Sequence, residues 1–287
     1  MGDPDPYLSA LHLREGGPLP LISVVIPVYC HTSDHKIFLS EALQSVAAQT
    51  YRDFEVVIVD DASPIDIEPL VKAVDRLPHV IILHNQKNLG HAESRNLGIR
   101  ASQGALIAFL DHDDLWLPEK LAHQLTVLEA GEDAAMVFCD LEIIGPEAGR
   151  LNLDQSIIPE RPDFCWFVSH RNYVITVSSV MVKKQFLLDI GLFDSRYTSC
   201  DDFDAWLKII RLAPILHLPE RLAQYRLHQH NVNYGIDLLN DNKLLTALIW
   251  SYWQTAAPRE KLKLLPQLAR KLAGRVYFSI RKFNKIF

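Results

Sequence analysis

Ala105-Leu106-Ile107-Ala108-Phe109-Leu110-Asp111-His112-Asp113-Asp114 decides how the rest of this chain is read. Six apolar residues, entered from Gly104, run directly into three carboxylates within four positions. An unbroken apolar run of that length reads as a strand buried on both faces of a parallel sheet. Asp111 and Asp113 then fall at the strand's carboxyl end, the edge at which open parallel sheets bind ligands. Crowded carboxylates repel and are costly to desolvate, so a positive group is expected among them. A divalent cation on oxygen ligands is the obvious candidate, and it would bring phosphate with it.

Upstream of that stretch, apolar runs and helical spacings alternate. Residues 22–28 read as a strand, with Pro27 marking its exit because proline cannot continue a central ladder. Leu39, Leu43, Val46 and Ala47 recur at helical spacing within 37–49. A second buried strand over 54–59 ends at Asp60-Asp61, a helix over 65–76 follows, and 80–83 is a third strand. Residues 91–102 then form the helix that returns the chain to the acidic strand. Strand and helix alternating in this way predict an α/β fold, a mostly parallel central sheet with helices on both faces and right-handed crossovers. One edge would gather 27–29, Asp60-Asp61, 85–88 and 111–114. None of these loops carries a P-loop or a GxGxxG, which removes Walker-type ATPases and dinucleotide oxidoreductases from consideration.

Downstream the alternation loosens. A helix is expected over 115–130, with Pro118 in its first turn, and a buried strand over 134–139. Three prolines and no clear period over 142–162 read as loops or short irregular strands, a natural place for specificity elements. A strand over 174–182, a helix over 183–190 closed by Gly191, a helix over 201–212 and short strands over 215–218 and 222–227 complete the body. Residues 1–20 read as an extended lead-in, 21–235 as the main domain, and 236–287 as a helical basic tail.

The formal charge of −6 argues against nucleic acid as a partner. That charge is unevenly distributed. From Arg259 onward nine Lys/Arg face Glu260 alone, and taking this +8 from −6 leaves −14 on the rest. Cys30, Cys139, Cys165 and Cys200 are scattered without CxxC spacing, which fits buried reduced thiols rather than zinc or a disulfide framework. The opening MGDPDPYLSA has no basic region leading into an apolar one, so no signal peptide is expected. No apolar run approaches a bilayer span of about 20 residues. These features together predict a cytoplasmic protein.

Three acidic or imidazole-bearing stretches could carry chemistry. Asp111, Asp113 and Asp114 could cap a helix or hold metal and phosphate; the second acidic strand end at Asp60-Asp61 favours the latter, with Asp114 the best candidate for a simple cap. Cys200-Asp201-Asp202-Phe203-Asp204-Ala205-Trp206 places paired acids at a helix start, again a capping arrangement unless a carboxylate faces the cleft. In Tyr225-Arg226-Leu227-His228-Gln229-His230, alternation puts Arg226, His228 and His230 on one side of an extended segment. Surface histidines are commoner than ligands, although an oxygen-rich metal site accepts one imidazole.

Taken together, 21–235 resembles the inverting glycosyltransferases of family 2, which have the GT-A fold. The resemblance rests on Ser23-Val24-Val25-Ile26-Pro27-Val28-Tyr29, on Ser45-Val46-Ala47-Ala48-Gln49-Thr50-Tyr51 leading to Val59-Asp60-Asp61-Ala62-Ser63, and on Asn88-Leu89-Gly90-His91-Ala92-Glu93-Ser94-Arg95-Asn96-Leu97-Gly98. It continues through Phe109-Leu110-Asp111-His112-Asp113-Asp114, Gly191-Leu192-Phe193-Asp194, Asp201-Asp202-Phe203-Asp204-Ala205-Trp206 and Tyr225-Arg226-Leu227-His228.

The resemblance implies transfer of a sugar from a nucleoside-diphosphate donor, a UDP-sugar first, to an acceptor hydroxyl in polysaccharide or glycoconjugate synthesis. It implies that Pro27, Val28, Tyr29 and Asp60 hold uracil and ribose, and that Asn88 and Gly90 line the nucleotide pocket. Asp111 and Asp113 correspond to the family's DxD, with Asp111 nearer the ribose and Asp113 binding Mn2+ or Mg2+. His228 matches a histidine that reaches metal or diphosphate, and Asp202 matches the general base. Cys30 stands where the family usually has Asn, and Asp201 where it has Glu, one methylene longer.

Two rival readings use the same acids: an inactive nucleotide-sugar-binding module, and a metal-dependent phosphohydrolase with water as nucleophile. The tail, with Leu262, Leu264, Leu265, Leu268, Leu272, Val276, Tyr277, Ile280, Phe283 and Ile286 among basic residues, reads either as a helix packed on the body or as an amphipathic helix at an anionic bilayer. The second reading would make the protein peripheral at the inner face of the cytoplasmic membrane. Pro266 shortens the run in either case.

Overall fold

The computed structural model describes residues 9–12, 21–151, 153–170, 176–197, 200–229, 231, 250–254, 261 and 265. The tail sequence from 236 onward lies largely outside these residues, so its expected helix and the membrane reading are not addressed by the fold. Among the described residues no helix is long and apolar enough to cross a membrane.

The alternating half forms as its periodicity predicts. Strands β2 (Ile22–Val28), β3 (Phe54–Asp60), β4 (Val80–His84) and β5 (Leu106–Phe109) lie side by side and parallel. Helices α1 (Ser33–Ala47), α2 (Glu68–Lys72) and α3 (His91–Ala101) connect them. In the lead-in, β1 (Ser9–His12) adds antiparallel to β4 at the edge, a strand where an extended segment was expected.

The second half supplies β6 (Leu115–Trp116), α4 (Lys120–Ala130), β7 (Met136–Ile144), α5 (Phe164–His170), β8 (Val180–Lys183), α6 (Lys184–Asp189), α7 (Asp201–Ile209) and β9 (Ile215–Arg226). The sheet order is β1-β4-β3-β2-β5-β8-β7-β9-β6, with β8 antiparallel to both neighbours and β7 parallel to β9. Alternate strand residues feed two cores, because successive side chains point to opposite faces. Val24 and Ile26 pack with α1, α2 and α4, whereas Val25, Ile107 and Phe109 pack with α3, α5, α6 and α7.

Prolines explain two of the differences from the sequence reading. At the end of β2, whose bounds are those expected, Pro27 marks the strand's exit. It pairs with Val59 on the β3 side, while the ladder to β5 ends at Val25↔Phe109, so no partner is lost where the missing N–H would point. The helix expected from 115 starts at Lys120. Leu117 precedes a proline and is held extended, and Leu115-Trp116 pair with β9 instead. The two strands expected over 215–227 are one, because Pro219 and Glu220 bulge out between the pairs Cys139↔Leu218 and Asp140↔Arg221. Of the strand expected over 174–182, residues 174 and 175 lie outside the described residues, Val177–Ser179 form a 3-10 turn, and Val180 opens β8. The helix expected over 65–76 contracts to Glu68–Lys72.

α3 lies close on the sheet because Gly98 faces it. A Cβ at Gly98 would meet Val25 Cγ1 at 2.5 Å and Val59 Cγ2 at 3.3 Å. Replacing glycine in a helix gains about 1 kcal/mol of propensity, but overpacking a filled core costs about 1–3 kcal/mol. Gly98→Ala is therefore expected to lower stability by about 1 kcal/mol, read as a lower urea midpoint at unchanged slope.

Candidate active site

The carboxyl ends of β2, β3, β4 and β5 open onto a cleft of about 300 Å³. Its walls include Pro27, Val28, Tyr29, Asn88, Gly90, Asp111, Asp113 and Asp202, so eight of the residues named from sequence share one cavity. Asp60 is not on that wall. Its oxygens accept from Ser63 N–H at 3.0 Å and lie 3.0 Å from His84 Nδ1. The neighbouring Asp61 faces the cleft instead, and accepts from the Leu89 and Gly90 N–H groups at 2.8 Å each and from Asn85 Nδ2 at 2.7 Å. Asp61 thereby folds the 85–90 loop around one carboxylate. Gly90 needs its φ of +87° for that turn, a conformation costly to any residue with a Cβ.

The expected positive group is present as an arginine. Arg95, on α3 and buried, donates through Nη2 to Asp111 Oδ1 at 2.8 Å and through Nη1 to Asp201 Oδ2 at 3.2 Å. Burial opposes its charge, but Asp111 and Asp201 outweigh that and raise its pKa. Its guanidinium also lies over the Phe193 ring. Next to it, Asn96 exchanges two hydrogen bonds with the Phe193 backbone, which locks α3 to the Gly191-Leu192-Phe193-Asp194 turn. Sequence reasoning passed over Arg95. The available signal was the unbalanced charge of the acids themselves.

Asp113 and His228 come together from positions 115 residues apart, with His228 Nε2 3.0 Å from Asp113 Oδ2. Asn231 Nδ2 donates to the same oxygen at 3.3 Å. Burial works against charge on Asp113, yet the hydrogen bond with His228 and the proximity of His112 hold its carboxyl below the usual range. Arg226 braces the pair: its Nε donates to the Asp113 carbonyl at 2.9 Å, and its Nη2 to Glu41 of α1 at 2.6 Å. His31, His35 and His112 cluster beside them, with His35 ring centroids 4.4 Å from His31 and 5.2 Å from His112. Burial, then the neighbouring imidazoles, lower His35 to about 4, so it is neutral at ordinary pH.

Asp114 caps no helix. It is fully buried and accepts from Ser178 Oγ at 2.6 Å, Thr176 Oγ1 at 2.9 Å and Arg226 N–H at 2.9 Å. Ser178 Oγ also accepts from Asp111 N–H at 3.0 Å. The third acid thus ties the strand end to the 176–178 turn and to β9, which is why that turn leaves the β8 ladder. Its pKa is raised by burial and by the nearby Asp113 and Asp111.

At the start of α7 the two acids differ. Asp201 is buried, with one oxygen 3.1 Å from His91 Nε2 and the other taken by Arg95. Asp202 is half-buried on the cleft wall, and burial, followed by the charge of Asp201, pushes it up to about 7.

The sequence and the fold match known proteins. Residues 23–183 fit the family described as glycosyl transferase family 2. The chain belongs to that family. An uncharacterized glycosyltransferase of Rickettsia prowazekii is 28% identical over 256 residues, covering 86% of this chain and 75% of the relative. One from Haemophilus influenzae is 27% identical over 277 residues, covering 92% and 91%. Among solved structures, S. aureus TarS 1–349 with UDP-GlcNAc superposes with a TM-score of 0.67 at 21% identity, over 88% of this chain and 71% of that one. A mannosyltransferase from Pyrobaculum calidifontis with GDP-Man and Mn2+ gives 0.62 at 21%, over 91% and 76%. The fold is that of the GT-A glycosyltransferases, and the family 2 protein is a glycosyltransferase enzyme.

Replacing Asp114 strands two hydroxyls and a backbone N–H in the interior. Asp114→Ala is expected to cost about 2–4 kcal/mol, measured by urea denaturation, with Asp114→Asn recovering part of the loss.

Proposed function

We propose that this glycosyltransferase moves a sugar from a nucleoside-diphosphate donor, UDP-sugars first among them, to an acceptor hydroxyl with inversion at the anomeric carbon. The observation that carries this reading is Asp202, a carboxyl raised to about 7 in the same cleft as Asp111 and Asp113. A general base works best with a pKa near the operating pH. Asp202 accepts the proton of the acceptor hydroxyl while that oxygen attacks the anomeric carbon. The new C–O bond forms as the bond to the diphosphate breaks, and attack from the opposite face inverts the centre without an enzyme nucleophile.

On the donor side, Pro27, Val28 and Tyr29 take the base and ribose, Asp60 supports them from behind the wall by ordering the turn to Ser63, Asn88 and Gly90 border the nucleotide, and Asp111 contacts the ribose. Asp113 and His228 are the ligands for Mn2+ or Mg2+. Among the described residues no group of three or more His, Cys, Asp or Glu has metal-binding geometry. Two protein ligands of carboxylate and imidazole type nevertheless fit a hard cation that completes its shell with diphosphate oxygens and water. Such a cation, when bound, neutralises charge developing on the leaving diphosphate. The basic tail from Arg259 would hold the enzyme against the anionic inner face of a membrane, where the acceptors of polysaccharide and glycoconjugate synthesis are presented.

Incubation with UDP-, GDP- and dTDP-sugars plus Mn2+ separates the readings: release of nucleoside diphosphate only with acceptor supports transfer, and release without acceptor supports hydrolysis. Asp202→Asn is expected to lower kcat by about 10²- to 10⁴-fold with donor affinity retained. Because the base acts deprotonated, wild-type kcat should decline as pH falls through about 7. For the tail, co-sedimentation with anionic liposomes that weakens with salt is expected, and no binding at low salt excludes it.

A further inference from the structure

Asp201 and Asp202 are neighbours on the first turn of α7, yet their surroundings divide the work between them. Both Asp201 oxygens are engaged, one beside His91 Nε2 at 3.1 Å and one accepting from Arg95 Nη1 at 3.2 Å, and its side chain is 4% exposed. A carboxylate held in this way keeps its charge, with each oxygen committed to a fixed partner. Asp202 accepts from the Phe203 N–H at 2.7 Å and faces the cleft.

We propose that Asp201, pinned between His91 and Arg95, is a positioning residue that sets the proton affinity of Asp202, and that Arg95 connects this pair to the donor-side Asp111. The inference rests on Asp202 being the base. Asp202 lines the cleft together with Asp201 from its own helix and Arg95 and His91 from α3. The like charge of Asp201 favours the proton on Asp202, and the guanidinium of Arg95 opposes it. Burial sets the baseline, and these two charges tune it in opposite senses. Arg95 is shared, because its other nitrogen donates to Asp111 at 2.8 Å. Any shift of the guanidinium toward Asp111 withdraws positive charge from the base and strengthens it. His91 takes the remaining Asp201 oxygen, so the shorter side chain at 201 is held from both sides.

The test needs no substrate. In protein carrying 13C-labelled aspartate, the Asp202 carboxyl resonance is assigned by its loss in Asp202→Asn and titrated against pH. Asp201→Asn is expected to lower the Asp202 midpoint by about one pH unit or more, and Asp201→Glu to restore it. Arg95→Gln is expected to raise it. Once a donor is known, the acidic limb of kcat should move with the same signs. An Asp202 midpoint unchanged in Asp201→Asn, or moved upward, overturns the proposal. Should Arg95→Gln fail to fold by circular dichroism, the Asn and Glu variants at 201 decide alone. Failure of the base reading looks different: Asp202→Asn would keep transfer activity while the titration shifts persisted.

Discussion

Negative charge crowded at one edge of a parallel sheet is the constraint to which the other elements answer. Asp61, Asp111, Asp113, Asp114, Asp201 and Asp202 stand on or beside a single cleft, where burial raises the cost of each uncompensated charge. The compensation comes from several separate elements. α3 sends Arg95 to Asp111 and Asp201, the segment after β9 sends His228 and Asn231 to Asp113, and the 176–178 turn gives its hydroxyls to Asp114. Removing a partner from a buried charge costs far more than the pair contributes, so the cleft ties distant parts of the chain into one packing problem.

The compensators are themselves held. Gly98 brings α3 against Val25, Asn96 latches it to the Phe193 backbone, and Gly191 and Leu192 take positive φ values of 80° and 69° to set that turn. Arg226 links the Asp113 carbonyl to Glu41 and lies over the Phe38 ring, which fastens β9 to α1. Among the described residues the Asp202 carboxyl accepts only from the Phe203 N–H and faces the cleft, and burial with the charge of Asp201 raises its pKa. That raised pKa makes it the natural proton acceptor in the proposed transfer.

Much of this was legible in the chain. Runs such as 22–28, 54–60 and 80–84 are buried on both faces, and unbroken apolar stretches encode that burial locally. The acids at 60–61 and 111–114 follow from where those runs stop. Errors arose where a proline acts through its neighbours: Pro118 delays a helix, and Pro219 bends one strand rather than ending it. Asp114 read as a cap because acids after a strand usually are caps, and the hydroxyls that claim it lie 62 and 64 residues away.

Sequence alone therefore determined the alternating elements and the acidic edge, because strand burial and helix periodicity are short-range properties. Tertiary structure decided which acid does what. Arg95 reaches Asp201 across 106 positions and His228 reaches Asp113 across 115. Pairings at that range depend on crossover geometry and the close approach of α3 to the sheet, neither of which a local pattern contains. Asp113 beside an imidazole, Asp114 among hydroxyls and Asp202 beside a pinned carboxylate are chemically identical side chains, and their surroundings alone separate their protonation.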